Sequence, residues 1–320
     1  MKNDPILTAL DRLDELQIQT PEGRKQFEKA LASKSNLVVK KAARIAGEAE
    51  QKDLAPHLAA AFERFFASGK GAPPDKGCVA LTALARALVT LDYDDAALFR
   101  RGMKHVQMEG TWGGSEDVAA ELRAVCAMGL ANTRDPNKMR DLVNLLADEQ
   151  WPARAGAARA IAAVGSDASA LLLRLKILTG DREPDVISDC LTGLIDVEGA
   201  EALPLVDSVA NSRDEALREA AILALGASRR ADAIELLKAR FERTADPAAK
   251  KCILLALATS RTEAAIEYLI GLIRTGSAAT ADAAAAAVSI HEGDTRIREA
   301  IEQARASRSD LPKVRPWQQD

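Results

Sequence analysis

The stretch DEALREAAILALG, residues 214–226, decides the fold. An acidic residue opens it, a basic residue stands four places on, and alanines then recur at the three- and four-residue steps of one helix face. DPAAKKCILLALA (246–258) and QWPARAGAARAIA (150–162) repeat the pattern. Aligning the rest of the chain on them gives a column of small residues: Ala46, Ala87, Ala127, Ala160, Gly193, Ala224, Ala256 and Ala287. The steps along it are 41, 40, 33, 33, 31, 32 and 31 residues. A period in this range, carried by helices, marks a stacked helical solenoid. Such a fold is most often a binding surface, and its repeat does not name what is bound.

Composition agrees. Apolar residues make up 48% of the 320, enough for a continuous core, yet aromatics make up only 3%. A core of Ala, Leu, Ile and Val brings helix axes close together. The net charge of −4, from 43 basic and 47 acidic residues, gives no overall attraction to nucleic acid or an anionic membrane. Charges interrupt the N-terminal MKNDPILTALDRLDEL where a signal peptide would be apolar, and no apolar run reaches about 18 residues, so a cytoplasmic protein is expected. The cysteines, Cys78, Cys126, Cys190 and Cys252, lie 48, 64 and 62 residues apart without a CxxC pair. They read as reduced, alanine-sized packing residues rather than disulfides or a zinc site.

Each repeat reads as a helix, a short turn and a second helix bearing the small column. The second helices are expected over 37–49, 76–91, 117–131, 152–164, 185–197, 215–227, 248–259 and 279–290. The first helices are expected over 21–33, 53–67, 95–105, 136–147, 168–178, 200–211, 231–243 and 262–274, with terminal helices over 5–16 and 294–306. Pro136, Pro152, Pro184 and Pro247 each fall near a first turn, where a missing N–H costs little. Irregular inserts at 68–77 and 106–117 lengthen the 41- and 40-residue steps. The Gly69-Lys70-Gly71 of the former lacks the hydroxyl residue and preceding strand of a phosphate loop. Residues 307–320 read as a C-terminal tail, disordered or packed back through Leu311 and Trp317.

This pattern, polar–x–x–x–basic–x–x–Ala–x–x–Ala followed by a turn and an Ala-Leu-Leu helix, resembles the HEAT repeat. It is most similar to the bacterial HEAT-like repeats named after phycobilisome lyase subunits. The resemblance spans about residues 20–306. It implies an all-α fold, a right-handed α-α superhelical solenoid of about eight HEAT-like helix pairs, forming a single domain over 1–306. The group contains bilin lyases, a di-iron hydroxylase and many scaffolds without catalysis, and a related set comprises DNA glycosylases. The hydroxylase pattern needs several His-Glu pairs, whereas here only His291-Glu292 makes one, His57 and His105 standing before Leu58 and Val106. The glycosylases need a basic, Trp-bearing face, a poor match to this acidic chain.

Two clusters are candidates for function. The first is the row of basic residues on the second helices: Lys40, Arg154, Arg218 and Lys250 at the repeat position, with Lys41, Arg44, Arg86, Arg123, Arg159 and Lys251 on the same helices. One reading is a ladder of ion pairs with the capping carboxylates; the other is a basic ridge on the concave side, suited to an acidic protein or peptide. The second is HVQMEGTWGGSED, residues 105–117, which gathers His105, Glu109 and Trp112 around paired glycines. Long loops on a rigid array tend to carry function, and Trp is enriched at binding hot spots. Alternatively Trp112 fills a packing gap, while His105 and Glu109 as acid and base lack a nucleophile or metal partner. His291 is expected to cap its own helix C-terminus. The favoured reading is a non-catalytic interaction scaffold without cofactor, metal or membrane partner. An enzyme or accessory subunit of the bilin-lyase or hydroxylase kind, and nucleic-acid backbone binding, are the alternatives.

Overall fold

The computed structural model describes residues 5–14, 17–66, 74–291, 293–308 and 310. The expectations for 68–73, for Glu292, and for Leu311 and Trp317 in the tail lie outside them. The described residues fall into two compact units, 1–166 and 167–320.

The first unit opens with α1 (Pro5–Asp14) and continues as helix pairs: α2 (Pro21–Leu31) with α3 (Asn36–Glu48), and α4 (Ala55–Phe65) with α5 (Val79–Thr90). Then come α6 (Ala96–Met103) with α7 (Ala120–Asn132), and α8 (Lys138–Leu145) with α9 (Trp151–Val164). The second unit repeats the scheme with α10 (Asp167–Thr179) on α11 (Pro184–Glu198), and α12 (Leu203–Val209) on α13 (Glu215–Ala227). It ends with α14 (Ala231–Arg243) on α15 (Pro247–Ser260), α16 (Glu263–Thr275) on α17 (Ala278–Val288), and α18 (Thr295–Ala306). Second helices also stack on one another: α3 on α5, α5 on α7, α7 on α9, and likewise α11, α13, α15 and α17. This is an all-α, HEAT-like solenoid arrangement.

Local chemistry sets the helix ends. Asp95, Asp214, Asp246 and Asp294 each accept backbone N–H bonds as N-caps of α6, α13, α15 and α18. Pro152, Pro184 and Pro247 stand in first turns as expected, whereas Pro136 precedes α8 by two residues. Glu50, Asp92, Arg229 and Arg261 turn to positive φ just beyond α3, α5, α13 and α15, the left-handed step that ends a helix and frees the chain to reverse.

The small column faces the stack. Ala46, Ala127, Ala160 and Ala256 are fully buried, Ala87 and Ala224 nearly so, and Gly193 is buried, while Ala287 at the end is half-buried. Beside the column, at Gly226, the helices approach closely, for a Cβ there would lie 2.3 Å from the Ala256 carbonyl oxygen. Buried, alanine-sized roles also fit Cys78, Cys126 and Cys190; Cys252 is half-buried.

Arginines tie the first helices together, a feature that no local sequence pattern announces. Arg64 of α4 donates to the carbonyls of Ala32 and Ser33 at the end of α2. Arg240 of α14 donates to Asp207 and Ala210 at the end of α12. Arg308 reaches Ile273 and Gly276 at the end of α16. Each supplies positive charge and donors to carbonyls that a helix C-terminus leaves unpaired. His291 likewise places a donor on a helix C-terminal carbonyl between repeats. It is not a cap of its own helix: Nε2 lies 2.7 Å from the Ala258 carbonyl in the last turn of α15, and Nδ1 accepts from Arg261 at 3.3 Å.

Two expected helices begin late. The second helix placed at 76–91 starts with a tight turn over Lys76–Cys78, Cys78 being left-handed at φ 52°, before α5. The helix placed at 117–131 starts only at Ala120, because 106–117 folds as a β-hairpin: β1 (Met108–Thr111) antiparallel to β2 (Gly114–Asp117). Alternation of β-branched residues is missing from both strands, so propensity gave no sign of it. Gly113, at φ 105°, makes the reversal between them.

Candidate functional site

Two strands alone are marginal in water, and this hairpin is anchored by side chains. Arg123, near the start of α7 and only 3% exposed, is its foundation. Its guanidinium meets Asp117 at 2.7 Å, Asp148 at 3.0 Å through two N–H groups, and the His105 carbonyl at 2.9 Å. Burial pushes the Asp117 carboxyl up, but the N–H groups of Gln107 and Ala119 and the Arg123 charge outweigh it and hold the group below its ordinary range. Higher up, Glu109 accepts the Gly77 N–H at 2.7 Å and the Gln107 amide at 2.6 Å, which together lower its pKa. Gln107 also donates to the Asp75 carbonyl at 2.7 Å. The 106–117 insert is therefore stapled to residues 75–77 at the end of the other insert.

Asp75 extends the network. It is nearly buried and accepts the N–H groups of Ala80 and Leu81 at 2.9 Å, capping α5 from outside the helix, and the Asn36 amide at 3.1 Å. Burial and then the Asp75 charge push the Cys78 thiol up to about 12. Above this base Trp112 stands fully exposed at the turn, with Val106 and Met108 more than half exposed and the polar Thr111, Ser115 and Glu116 exposed around them. Trp112 fills no packing gap.

Beside the hairpin base, α3, α5 and α7 enclose a cleft of about 780 Å³. Ala43, Gly47, Ala83 and Ala87 give it a smooth floor, and Gly77, Val118 and Glu121 bring it to the foot of the hairpin. Lys40, Lys41, Arg44 and Arg86 line it, with Arg44 paired to Glu48 at 2.7 Å and Arg86 to Glu121 at 2.5 Å. The pairing of small residues four apart on neighbouring second helices, 43 with 47 and 83 with 87, was the available sequence signal for it.

The basic row forms ion pairs both along single helices, as Arg44 with Glu48 and Arg218 with Glu215, and between repeats. Arg86 on α5 meets Glu121 on α7, Arg123 on α7 meets Asp148 before α9, and Arg218 on α13 lies 3.9 Å from Asp246, the cap of α15. Arg154 donates to the Asp148 and Glu149 carbonyls at 2.9 Å, so Arg123 and Arg154 converge on one turn. Arg159 is exposed on α9. Lys250 stands 5.1 Å above the Phe241 ring. His105 lies edge-on to Phe66 at 5.0 Å, its Nε2 3.2 Å from Gln107. The structure thus gathers His105, Glu109, Trp112 and Arg123 in and under the hairpin, with Arg154 beside them, and places Arg218 and Lys250 in the second unit. Arg123 is enclosed and serves as an anchor, not as part of an exposed ridge.

Residues 172–251, a quarter of the chain, match the family described as HEAT repeats. By that match this stretch consists of HEAT repeats, and the helix pairs on either side of it follow the same arrangement. No curated protein matches the chain in sequence. Among solved structures, it is similar to the CpcE–CpcF complex of phycocyanin lyase from Nostoc sp. PCC7120, with 15% identity, 80% of this chain and 94% of that one covered, and a TM-score of 0.40. An engineered protein has 16% identity, coverage of 93% and 87%, and a TM-score of 0.37. Human deoxyhypusine hydroxylase in complex with glycerol has 16% identity, coverage of 81% and 91%, and a TM-score of 0.30. Nothing about the site follows from these three likenesses. Among the described residues, no helix is long and apolar enough to cross a membrane.

Proposed function

We propose that the protein is a non-catalytic interaction scaffold whose first unit binds a segment of another protein, laid along the cleft over α3, α5 and α7. The observation that carries this reading is the pairing of a smooth, small-residue cleft with a stapled hairpin that exposes Trp112. A surface fixed before binding lowers the ordering cost of association, and an exposed Trp on a rigid base supplies an anchor of hot-spot type. Lys40, Lys41, Arg44 and Arg86 favour an acidic segment, whose carboxylates would compete with Glu48 and Glu121 for the two arginines.

A photo-crosslinking amino acid at Ala83, on the cleft floor, tests it in cells. A discrete protein adduct is expected, lost with Lys40→Glu/Arg86→Glu, weakened by Trp112→Ala, and not formed from a control at the exposed Glu242. Equal labelling from Ala83 and Glu242, or an adduct indifferent to the charge reversals, would refute the proposal.

A further inference from the structure

The cleft of the first unit has a length, a direction and a floor that constrain what lies in it. α3 and α5 run parallel. Asn36 at the start of α3 donates to Asp75, just before α5, at 3.1 Å, and Lys52 past the end of α3 meets Asp92 past the end of α5 at 2.7 Å. The lining follows both helices lengthwise, from Leu37 to Glu50 and from Gly77 to Thr90, about 20 Å at 1.5 Å per residue. Charge is sorted along it. Lys40 and Lys41 stand in the first half of α3, whereas Glu48 and Glu50 stand at its end. Helix dipoles reinforce both ends, positive where α3 and α5 begin and negative where they finish. Between the ends lies the floor of Ala43, Gly47, Ala83 and Ala87; a Cβ on Gly47 would be 3.5 Å from the Ala87 Cα, so the two helices are close there.

We infer, resting on the reading of this cleft as a groove for a segment of another protein, that the segment is an amphipathic helix with its carboxylates over Lys40 and Lys41. Backbone hydrogen bonding selects the helix. An extended segment needs partners for its N–H and C=O groups, which a strand edge supplies. None of the described lining residues belongs to a strand, and through the floor α3 and α5 use their backbone groups within the helices. The Thr82 and Thr90 hydroxyls are committed too, donating to the Cys78 carbonyl at 2.7 Å and the Arg86 carbonyl at 3.1 Å. An extended chain would therefore lay unpaired polar groups on alanine and glycine. A helix satisfies its own backbone, and the small floor lets its larger apolar side chains settle between α3 and α5. Leu37, about half exposed, and Val79 offer them apolar contact where the groove begins. The sorted charge then sets the register: acidic residues at the end where α3 and α5 begin, neutral or basic ones over Glu48 and Glu50.

Helix and strand differ in how much sequence spans the groove. Photo-crosslinking residues placed singly at Leu37 and at Thr90 of the full chain, one near each end, should capture one partner segment at sites about 13 residues apart; an extended segment would put them about 6 apart. Carboxylates should lie within about a turn of the residue captured from Leu37. A synthetic copy of the captured segment should gain helical circular-dichroism signal on binding, and a proline at its centre should weaken it at least about tenfold. Glu50→Lys should leave its affinity unchanged or raise it. Capture sites about 6 residues apart, full binding by the proline variant, a basic cluster at the Leu37 end, or weakening by Glu50→Lys would each overturn the inference while leaving the groove a binding site. No adduct from Leu37, Ala83 or Thr90 would remove the groove and the inference together.

Discussion

Replacing one glycine with alanine should have opposite effects at two places in the second unit. At Gly226, near the end of α13, the added Cβ would stand 2.3 Å from the Ala256 carbonyl oxygen, 2.8 Å from its carbon and 3.0 Å from its Cα. Ordinary contact begins near 3.4 Å, so roughly 1 Å must be found. The obstacle is backbone of α15, which has no rotamer to yield. The two helices must separate, loosening the adjoining Ala224 and Ala256. Such overpacking costs about 1–3 kcal/mol, against a gain of at most ~1 kcal/mol from alanine's helix propensity. The expected net loss for Gly226→Ala is about 1–2 kcal/mol. At Gly271, inside α16, a Cβ meets nothing within 4 Å, and Gly271→Ala should gain about 0.5–1 kcal/mol. Thermal melts followed by circular dichroism should place Gly226→Ala about 2–8 °C below the wild type and Gly271→Ala above it. Hydrogen exchange over 214–260 should rise in the former alone. If Gly226→Ala melts at or above the wild-type temperature, the close contact of α13 with α15 is wrong, and the account of the small-residue column with it.

Arg123→Met should cost about 3–5 kcal/mol, read from urea unfolding, because it strands Asp117 in a buried site and removes a contact to Asp148. The hairpin should also respond to acid. The Asp117 pKa is lower in the folded chain than its unfolded value near 3.9, so its stabilisation is complete above that value and lost as pH falls below about 4. Exchange of the Val118 amide, which donates to Gln107 across the hairpin base, should therefore stay slow at pH 5 and accelerate below pH 4, an effect that Asp117→Asn removes. Burial, with Asp75 and Glu219 nearby respectively, raises Cys78 to about 12 and Cys252 to about 11. With a disulfide reagent at pH 8 the folded protein should react slowly, the half-buried Cys252 first. Fast reaction at Cys78 would show that Asp75 and its surroundings are open.

The sequence by itself determined the helices, their pairing and which face of each second helix turns inward. All of that information is local: a period of 3.6 in apolar residues, Asp before a first turn, and a small residue every 31–41 positions. Residues 215–227 and 231–243 are helices to the residue as read from that pattern. What the sequence left open was settled by side chains meeting across 20 to 40 positions. The hairpin at 108–117 has no strand propensity to announce it and stands on Glu109 with Gly77, Gln107 with Asp75, and Arg123 with Asp148. Arg218 has Asp214 four residues before it in sequence, yet it lies 3.9 Å from both Glu215 of its own helix and Asp246 in the next repeat, while Asp214 caps its own helix. The cleft arises only when Ala43 and Gly47 of α3 come beside Ala83 and Ala87 of α5. The exposure of Leu171, Leu175 and Leu178 on α10 was equally hidden, since a leucine reads as core wherever it stands. Spacing along one helix fixes which residues share a face; only the packed neighbours decide whether that face is covered, paired or left to water.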